Sequence, residues 1–549
     1  MQRILIFVLI LLFIAVAMPG GGAHAQTFPT PEYFRGIIVR PVAPSQAAGV
    51  EGLRDRVVDG KLRLSLADVI HLTLANNTEV RINQLQYEGA KFAIARAYQS
   101  VDPVFTATFS STRSTQPTTD QLQGAATLSS LGQNTNLSFS QGFFTGTRYS
   151  INYSGGKSTT NSIFANFNPS ITSNLSFNLS QPLLRNFGLT PNRAPLVIAR
   201  RNLQQSRATF EAQVMDSVAQ ATDRYWDVVQ ARESLVVVRK SLDLAETTYK
   251  LDKRKLELGA LPPLDIYRSE SQVATRRVQV IQAEYSLKRL EDELRRSIGA
   301  DLDSNVRALD LDLIETAEAQ GELLTMDSTA AIEEALRRRP ELEALRLQLA
   351  NEQTSIQLAH NGLKPDLNLN TFYTSNGRGG NALDTSVTPP MVISRGGLGD
   401  AFGQIGSWDF PTYGFTLRLN LPIKNRVAQA DLGSALVSQK RSLFTQRQRE
   451  QAITLEARNA VHQLEEAKLS MGASRIALDL SRKNLEAEQR KYELGATTIF
   501  FVLDAQNQLA AAEQDYLRSQ IGYQRAVTSL SRATGALLER HKVQVSDVK

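Results

Sequence analysis

The segment Arg490-Lys491-Tyr492-Glu493-Leu494-Gly495-Ala496 repeats, with one change, the earlier segment Arg254-Lys255-Leu256-Glu257-Leu258-Gly259-Ala260. The two copies lie 236 residues apart, and two later glycines, Gly299 and Gly535, are also 236 apart. A glycine after a Lys/Glu/Leu-rich run indicates a helix C-cap, because glycine has no Cβ to oppose the left-handed conformation. Each segment therefore predicts the tip of a helical hairpin, and the shared spacing indicates an internal duplication.

Long amphipathic runs lie on both sides of each tip. Residues 194–258 and 428–494 carry apolar residues at steps of three and four, which predicts helices on the order of 100 Å long in coiled-coil packing. Residues 264–298 and 501–534 predict the returning helices. Two shorter helices are expected at about 64–100, where Ser65 and Asp68 form a capping-box pattern, and at 330–363.

Between the shorter and the longer helices the hydrophobic period changes to strict alternation. Apolar and aromatic residues alternate with Ser, Asn and Thr in 103–182 and again in 365–422, which is typical of strands with lipid on one face and water on the other. Ordinary half-buried strands are the alternative. We expect four clear strands per chain. The first region is 22 residues longer than the second, which leaves open an extra hairpin around 142–146.

The N-terminus predicts export. Residues 1–25 combine Arg3, an apolar core and an Ala-His-Ala cleavage site, as in a secretory signal peptide. The chain has no cysteine, and its net charge of +6 is distributed along the helices. We expect neither disulfides nor nucleic-acid binding. The four histidines beyond the signal have no metal-ligand spacing, and Gly155-Gly156-Lys157-Ser158 lacks the earlier glycine of a phosphate loop. The sequence therefore predicts no enzyme, no cofactor and no metal site.

The order signal, helix, strand region, long helix, Leu-Gly-Ala tip and returning helix, made twice, resembles the TolC-type outer membrane efflux family over residues 64–540. The resemblance implies an α+β membrane protein and a homotrimer. One outer-membrane β-barrel of about 12 strands would be continuous with a periplasmic α-helical tunnel. Four strands cannot close a barrel alone, so oligomerisation is also expected from the strand count.

The resemblance also implies site residues. Tyr492 would bond Asp265 as a tip clamp, whereas the family's second clamp lacks its Arg here, because Thr497 stands at that position. The alternative for Asp265 is a helix cap. Asp504 and Phe501 would form the constriction of the periplasmic mouth, the alternative for Asp504 being a first-turn acid that complements the helix dipole. Adaptor docking is expected at the tips, at Leu258, Gly259, Ala260, Leu494, Gly495 and Ala496.

The implied function is an exit duct for efflux or secretion, embedded in outer membrane lipid and coupled through a periplasmic adaptor to an inner-membrane transporter. The alternative is a non-conducting spacer or tether of a Gram-negative-type envelope. The expected segments are: signal 1–25; irregular periplasmic arm 26–62; first repeat 63–300, with strands 103–182 and tip 258–265; connector 301–328; second repeat 329–535, with strands 365–422 and tip 494–504; tail 536–549.

Overall fold

The computed structural model describes residues 49–117, 127–259, 262, 264–318, 323–387 and 390–543. Within them the chain forms two compact units, one from residues 97–195 and 357–430 and the other from 49–96, 196–356 and 431–543. The predicted signal 1–25 and most of the arm 26–62 lie outside the described residues. No helix in the described part of the chain is both long and apolar enough to cross a bilayer.

The elements are numbered in chain order. The first half contains β1 (Val57–Val58), β2 (Lys61–Leu64), α1 (Leu66–Asn76), α2 (Thr78–Ala97), β3 (Val104–Pro117), β4 (Thr127–Gly142), β5 (Arg148–Thr160), β6 (Phe167–Pro182), α3 (Leu189–Glu257) and α4 (Ile266–Ser297). The second half contains β7 (Asp310–Leu313), α5 (Ser328–Arg338), α6 (Pro340–Gly362), β8 (Asp366–Asp384), β9 (Met391–Ser394), α7 (Leu398–Ser407), β10 (Pro411–Asn420), α8 (Arg426–Glu493), α9 (Ile499–Ala533) and α10 (Leu537–Arg540).

The first unit is built on one antiparallel sheet with the order β10-β8-β6-β5-β4-β3, and short β9 pairs with β8. It contains six long strands, so the expectation of four is wrong. The two additional strands are β4 and β5, joined by a tight turn in which the Phe143 N–H donates to Thr147 O at 2.8 Å. The extra hairpin that the sequence left open around 142–146 is therefore present, and its two strands lie within the sheet.

Helix α7 packs on the face of this sheet that carries the aromatic residues. The Ser375 hydroxyl donates to Ile405 O at 3.1 Å, and the rings of Tyr153 and Phe402 stack with centroids 5.5 Å apart. A Cβ at Gly377 would lie 2.1 Å from Ala401 O. Glycine at this strand position therefore permits the close approach of the helix.

In the second unit the long and returning helices form close to their predicted bounds, but each predicted shorter helix is two helices. Asn77 interrupts the first with extended backbone and accepts the Glu79 N–H at 2.9 Å. Arg339 interrupts the second with ψ 118°, immediately before Pro340. A residue before proline avoids the helical conformation, so the break at Arg339 had a sequence signal.

Part of the predicted irregular arm and part of the connector are ordered together. Strand β2 pairs in parallel with β7 and antiparallel with β1, which makes a three-stranded sheet. Leu62 and Leu64 are buried in it beside Leu313. The capping box of Ser65 and Asp68 is present at the start of α1, as the sequence predicts.

The seams of the long helices form the core of the second unit. On α3, Val218, Ala221, Tyr225 and Val228 are buried, and on α8 Ile453, Ala457, Ala460 and Leu464 are buried. These positions belong to the predicted steps of three and four. Apolar burial along one stripe is the main source of stability for helices of this kind.

A buried ion-pair network joins the break at Arg339 to α8. The Arg339 side chain, 2% exposed, donates to Glu341 at 2.8 Å and to Glu456 at 3.2 Å. Burial alone would raise the pKa of Glu341, but the hydrogen bond and charge of Arg339 outweigh burial and hold that pKa below its ordinary value. At the break between the two helices, the network therefore fixes the Arg339 cation between the carboxylates of Glu341 and Glu456.

We expect Arg339→Met to lower the free energy of unfolding by about 1–3 kcal/mol, because it removes the buried cation that Glu341 and Glu456 share. Each carboxylate keeps one more exposed partner, Arg449 for Glu341 and Arg532 for Glu456. The thermal midpoint should fall accordingly. The matched control is Arg346→Met, which removes an exposed i,i+3 pair with Glu343 and should cost at most about 0.5 kcal/mol. Since the pKa of Glu341 is lowered on folding, the stabilisation is present above pH 4.5 and is lost as the pH falls through the folded value. Equal midpoints for both variants at neutral pH would contradict this role.

Candidate functional site

The two helical tips have the backbone that the repeated segment predicts. Gly259 and Gly495 both have φ 73°, and Gly299 and Gly535 have φ 73° and 77°. The Gly495 N–H donates to Tyr492 O at 3.2 Å, and the Ala496 N–H donates to Lys491 O at 2.9 Å. Left-handed glycine thus ends each long helix and reverses the chain toward the returning helix.

Beside the tips, a buried carboxylate joins three helices. Asp252 on α3 is 0% exposed. The hydroxyl of Tyr492 on α8 donates to its Oδ1 at 2.7 Å, and the hydroxyl of Ser269 on α4 donates to its Oδ2. We call Asp252, Ser269, Tyr492 and Lys255 the tip cluster. Its hydroxyls satisfy a charge that would otherwise be costly to bury.

The tip cluster also contains a cation that packs over an aromatic ring. The Lys255 Nζ lies 3.6 Å from the centroid of the Tyr492 ring. Lys255 is three residues after Asp252, so both side chains lie on the same face of α3. Burial and the hydrogen bond to Asp252 raise the pKa of Tyr492, so this hydroxyl stays protonated and remains a donor.

One to two helical turns away, a second polar layer connects the two hairpins. Gln506 on α9 donates to Thr248 on α3 at 2.9 Å, and both residues are buried. Asn507 accepts from Gln272 at 2.6 Å and from the largely buried Arg276. Burial lowers the pKa of Arg276. Tyr492 also packs against an apolar cluster formed by Leu485, Ile499, Val502, Ala505 and Leu509.

The predicted clamp pair is not formed as expected. Tyr492 bonds Asp252, whereas Asp265 lies 4.0 Å from Arg268 and makes no side-chain cap bond to α4. The capping alternative for Asp265 is therefore not supported either. A sequence signal existed, because Asp252 continues the steps of three and four after Tyr249. A charged residue at a seam position indicates a buried polar partner.

The two predicted constriction residues are exposed on the same helix. Phe501 is 53% exposed and packs edge-on against Phe500 at 5.5 Å. Asp504, one turn later, accepts a hydrogen bond from Gln508 at 2.7 Å. The first turn of α9 holds no acidic residue, so Asp504 does not fill the dipole-complement role of the alternative interpretation. The structure brings Phe501 and Asp504 to one exposed surface.

The predicted docking positions are open where they are described. Leu258 is 76% exposed and Leu494 is 78% exposed. A Cβ built at Gly259 or Gly495 would meet nothing within 4 Å, and Ala496 is exposed. Ala260 lies outside the described residues. In the part of the chain that the structure describes, no group of three His, Cys, Asp or Glu side chains is placed to hold a metal ion.

Comparisons with known proteins agree with the duplicated architecture. A family described as "Outer membrane efflux protein" matches residues 69–300 and 331–536. The chain is 24% identical over 335 residues to the pyoverdine export outer membrane protein OpmQ of Pseudomonas aeruginosa, which covers 60% of this chain and 63% of OpmQ. It is 22% identical over 356 residues to the outer membrane protein TolC of Vibrio cholerae, which covers 63% of this chain and 74% of TolC. The match thus spans less than two thirds of OpmQ.

Solved structures share the fold. The outer membrane channel CmeC of Campylobacter jejuni superposes with a TM-score of 0.63 at 13% identity, over 96% of this chain and 98% of CmeC. The open-state channel MtrE of Neisseria gonorrhoeae superposes with a TM-score of 0.59 at 17% identity, over 86% and 89% of the two chains. At these identities the likeness concerns the fold alone.

The tip cluster predicts that Asp252 and not Asp265 holds the two hairpins together. Asp252→Ala removes the acceptor of two buried hydroxyls, a loss of about 1–3 kcal/mol. Amide hydrogen exchange at the C-terminal turns of α3 and α8 should become about tenfold faster or more. Asp265→Ala is the matched control and should leave both turns unchanged. If Asp265→Ala accelerates exchange as much as Asp252→Ala, the pairing seen here is not the one that stabilises the tips.

Proposed function

This chain belongs to the outer membrane efflux protein family, and on that premise we propose that three copies form a passive exit duct of a Gram-negative-type outer membrane. The strand region contributes to a β-barrel, and the long helices contribute to a periplasmic tunnel. An inner-membrane transporter supplies the energy and reaches the duct through a periplasmic adaptor. The observation that carries this proposal is the family match over both copies of the duplicated unit.

Exposed apolar rows on the helices support assembly into an oligomer. On α8, Leu469, Ile476 and Leu480 are 74%, 63% and 60% exposed, at steps of seven and four residues. On α4, Val278, Ile281 and Tyr285 are 52%, 54% and 68% exposed, at steps of three and four. Such rows have the period of a helix packing seam. In a ring of copies, each row would pack against a helix of the next copy.

The exposed surface of α9 supports a closable mouth. Three copies of Phe501 and Asp504 around one axis would place an aromatic ring and a carboxylate ring one helical turn apart. Carboxylates at a narrow axis attract cations, and aromatic side chains exclude water. The tip cluster would keep the two hairpins of each copy together, and opening would require the bond between Tyr492 and Asp252 to break.

The relatives support export of small molecules. OpmQ is described as a pyoverdine export protein, and ArpC of Pseudomonas putida, 21% identical, as an antibiotic efflux pump outer membrane protein. These descriptions concern those proteins. For this chain they support an efflux duct over a secretion duct, with the cargo left open.

Conductance in a planar bilayer tests the duct and its mouth together. We expect trimers by light scattering and small current steps that trivalent cations block. Asp504→Asn should weaken that block on the order of tenfold, which corresponds to about 1.4 kcal/mol of lost attraction. Asp479→Asn, which removes an exposed carboxylate on α8 paired with Lys483, is the control and should leave the block unchanged.

Phe501→Ala in the same experiment should add a leak that cations do not block. Trimers that never conduct, with or without Phe501→Ala, would favour the spacer or tether over the duct. Trimers that conduct but keep full cation block after Asp504→Asn would remove Asp504 from the constriction and leave the duct intact.

The open tips predict an adaptor contact at Leu494, Gly495 and Ala496. Ala496→Trp should fill the space beside Gly495. In cells of the source organism whose chromosomal gene is replaced by this variant, efflux of a fluorescent dye should fall to the level of a strain that lacks the gene. Trimer yield and conductance should not change. Ala473→Trp, at an exposed position of α8 away from the tip, is the control. Normal dye efflux in the Ala496→Trp strain would exclude this tip as the docking site.

A further inference from the structure

A buried arginine without a carboxylate partner lies beside a groove of the helical unit. Arg276 on α4 is 8% exposed and lines a groove between α3, α4 and α9. We propose that this groove binds a small organic carboxylate, an anion with one negative charge and an apolar body. The site goes beyond the proposed duct and shares no residue with the tip cluster or with the constriction.

Neutral acceptors hold the guanidinium of Arg276. It donates to Gln279 Oε1 at 2.9 Å and to Asn507 Oδ1 on α9. A guanidinium has five N–H donors, so these two bonds leave three donors for another acceptor. Among the described residues no carboxylate pairs with Arg276, and burial alone lowers its pKa. Because charged side chains are almost never buried unpaired, the spare donors point to an anion that the described chain does not supply.

The charged residues next to this groove already have partners. Three ion pairs join α3 to α4 or to α9: Arg277 with Glu246, Arg239 with Glu284, and Lys240 with Glu513. Their nitrogen-to-oxygen distances are 2.9, 2.6 and 3.3 Å. The carboxylates of these neighbours are therefore engaged, and Arg276 differs from the adjacent cations in lacking one.

The lining of the groove determines which kind of anion fits. The groove has a volume of about 630 Å³, and among the described residues that line it Arg276 alone is charged. Apolar side chains of the three helices form much of its wall: Val237, Val238, Ala283, Ala510 and Ala511. One positive charge matches one negative charge, and an apolar wall matches an apolar body. An organic monoanion therefore fits better than a phosphate dianion.

Uncharged donors beside Arg276 complete the recognition of a carboxylate. Gln279 accepts from Arg276 through Oε1, which leaves its amide N–H groups without an acceptor among the described residues. Gln282 and Ser286 line the same groove and make no hydrogen bond within that part of the chain. These residues follow Arg276 along one face of α4. A guanidinium with amide and hydroxyl donors beside it suits the planar, two-oxygen geometry of a carboxylate.

The duplication supplies an internal comparison. A second groove of about 780 Å³ lies between α8, α9 and α3, and seven of its lining positions are repeat counterparts, 236 residues later, of positions that line the first groove. The arginines of the second groove are paired, Arg518 with Asp515 at 3.4 Å and Arg525 with Asp227. The same place in the fold thus holds compensated cations in the second half and the uncompensated Arg276 in the first.

A ligand in the first groove would also couple the two hairpins. Its walls come from α3 and α4 of the first hairpin and from α9 of the second. Asn507 on α9 already accepts from Gln272 and Arg276 on α4. Because the groove exists only while these helices are packed together, a bound carboxylate would stabilise the packed state over the open one.

Titration of para-fluorobenzoate, followed by fluorine NMR, tests the site on the full-length protein in detergent. We expect a dissociation constant on the order of 1 mM, the range of a ligand of about ten non-hydrogen atoms. The neutral para-fluorobenzamide, which has the same shape, should bind about tenfold more weakly or worse. Inorganic phosphate, which lacks the apolar body, should displace para-fluorobenzoate about tenfold less effectively than unlabelled benzoate does.

Two neighbouring arginines give a matched pair of variants. Arg276→Gln should raise the dissociation constant of para-fluorobenzoate about tenfold, to that of para-fluorobenzamide, because the charge is lost. Arg277→Gln removes the same charge from the exposed neighbour and should leave the constant unchanged. Ala511→Leu, at an exposed position of the groove wall, should weaken both ligands by filling the groove.

Amide hydrogen exchange locates the ligand. At ten times the dissociation constant of para-fluorobenzoate, exchange through opening at 276–286 of α4 and 507–514 of α9 should slow about tenfold. Residues 463–474 of α8, which belong to the second groove, are the internal control and should not change.

Three results would overturn the proposal. The first is equal affinity of the wild-type protein for para-fluorobenzoate and para-fluorobenzamide. The second is an equal loss in Arg276→Gln and Arg277→Gln, or displacement by phosphate as effective as that by benzoate. The third, which applies even if Arg276→Gln gives little folded protein, is unchanged binding in Ala511→Leu. Loss of the preference for the carboxylate in Arg276→Gln alone, with slower exchange at α4 and α9 in the wild type, is the expected result.

Discussion

The two outer strands of the sheet each pair with one neighbour within the described residues, and this is the constraint on which the proposed assembly depends. Backbone N–H and C=O groups must be satisfied wherever water is excluded, and within the described residues no strand pairs with the outer edge of β3 or β10. The long helices have a similar requirement, because rows such as Leu469, Ile476 and Leu480 remain exposed in the single chain. In the ring of copies proposed above, further copies of the same chain would meet both requirements.

At the tips the duplicated halves are similar in backbone and differ in side chain. Position 252 is Asp in the first half and its repeat counterpart, position 488, is Glu; position 492 is Tyr and its counterpart, position 256, is Leu. The Tyr of the second hairpin bonds the Asp of the first. The divergence of two positions thus produces a contact between hairpins that an exact repeat would not contain.

The sequence predicted the parts of this fold that depend on local preference. The long helices, their glycine ends and the capping box at Ser65 follow from periodicity and backbone sterics, which act within a few residues. The break at Arg339 was also readable from Pro340 but was overlooked. The count of four strands was too low, but the extra hairpin left open around 142–146 is the one that β4 and β5 form. Both strands are rich in Ser, Asn and Gly, so the apolar alternation in each is short. Their order and register in the sheet are given only by the pairing with neighbouring strands.

By itself, the sequence determined the duplication, the helix seams, the strands with one apolar and one polar face, and the family, because each follows from spacing and residue type. The tertiary structure decided the pairings between residues far apart in the chain. Asp252 rather than Asp265 accepts the hydrogen bond from the Tyr492 hydroxyl, and Arg339 pairs with Glu456, because helix packing brings together side chains that no local pattern connects. It also decided that Phe105 and Tyr413 stand in one row across six strands, because register is set by the pairing of every strand with its neighbour.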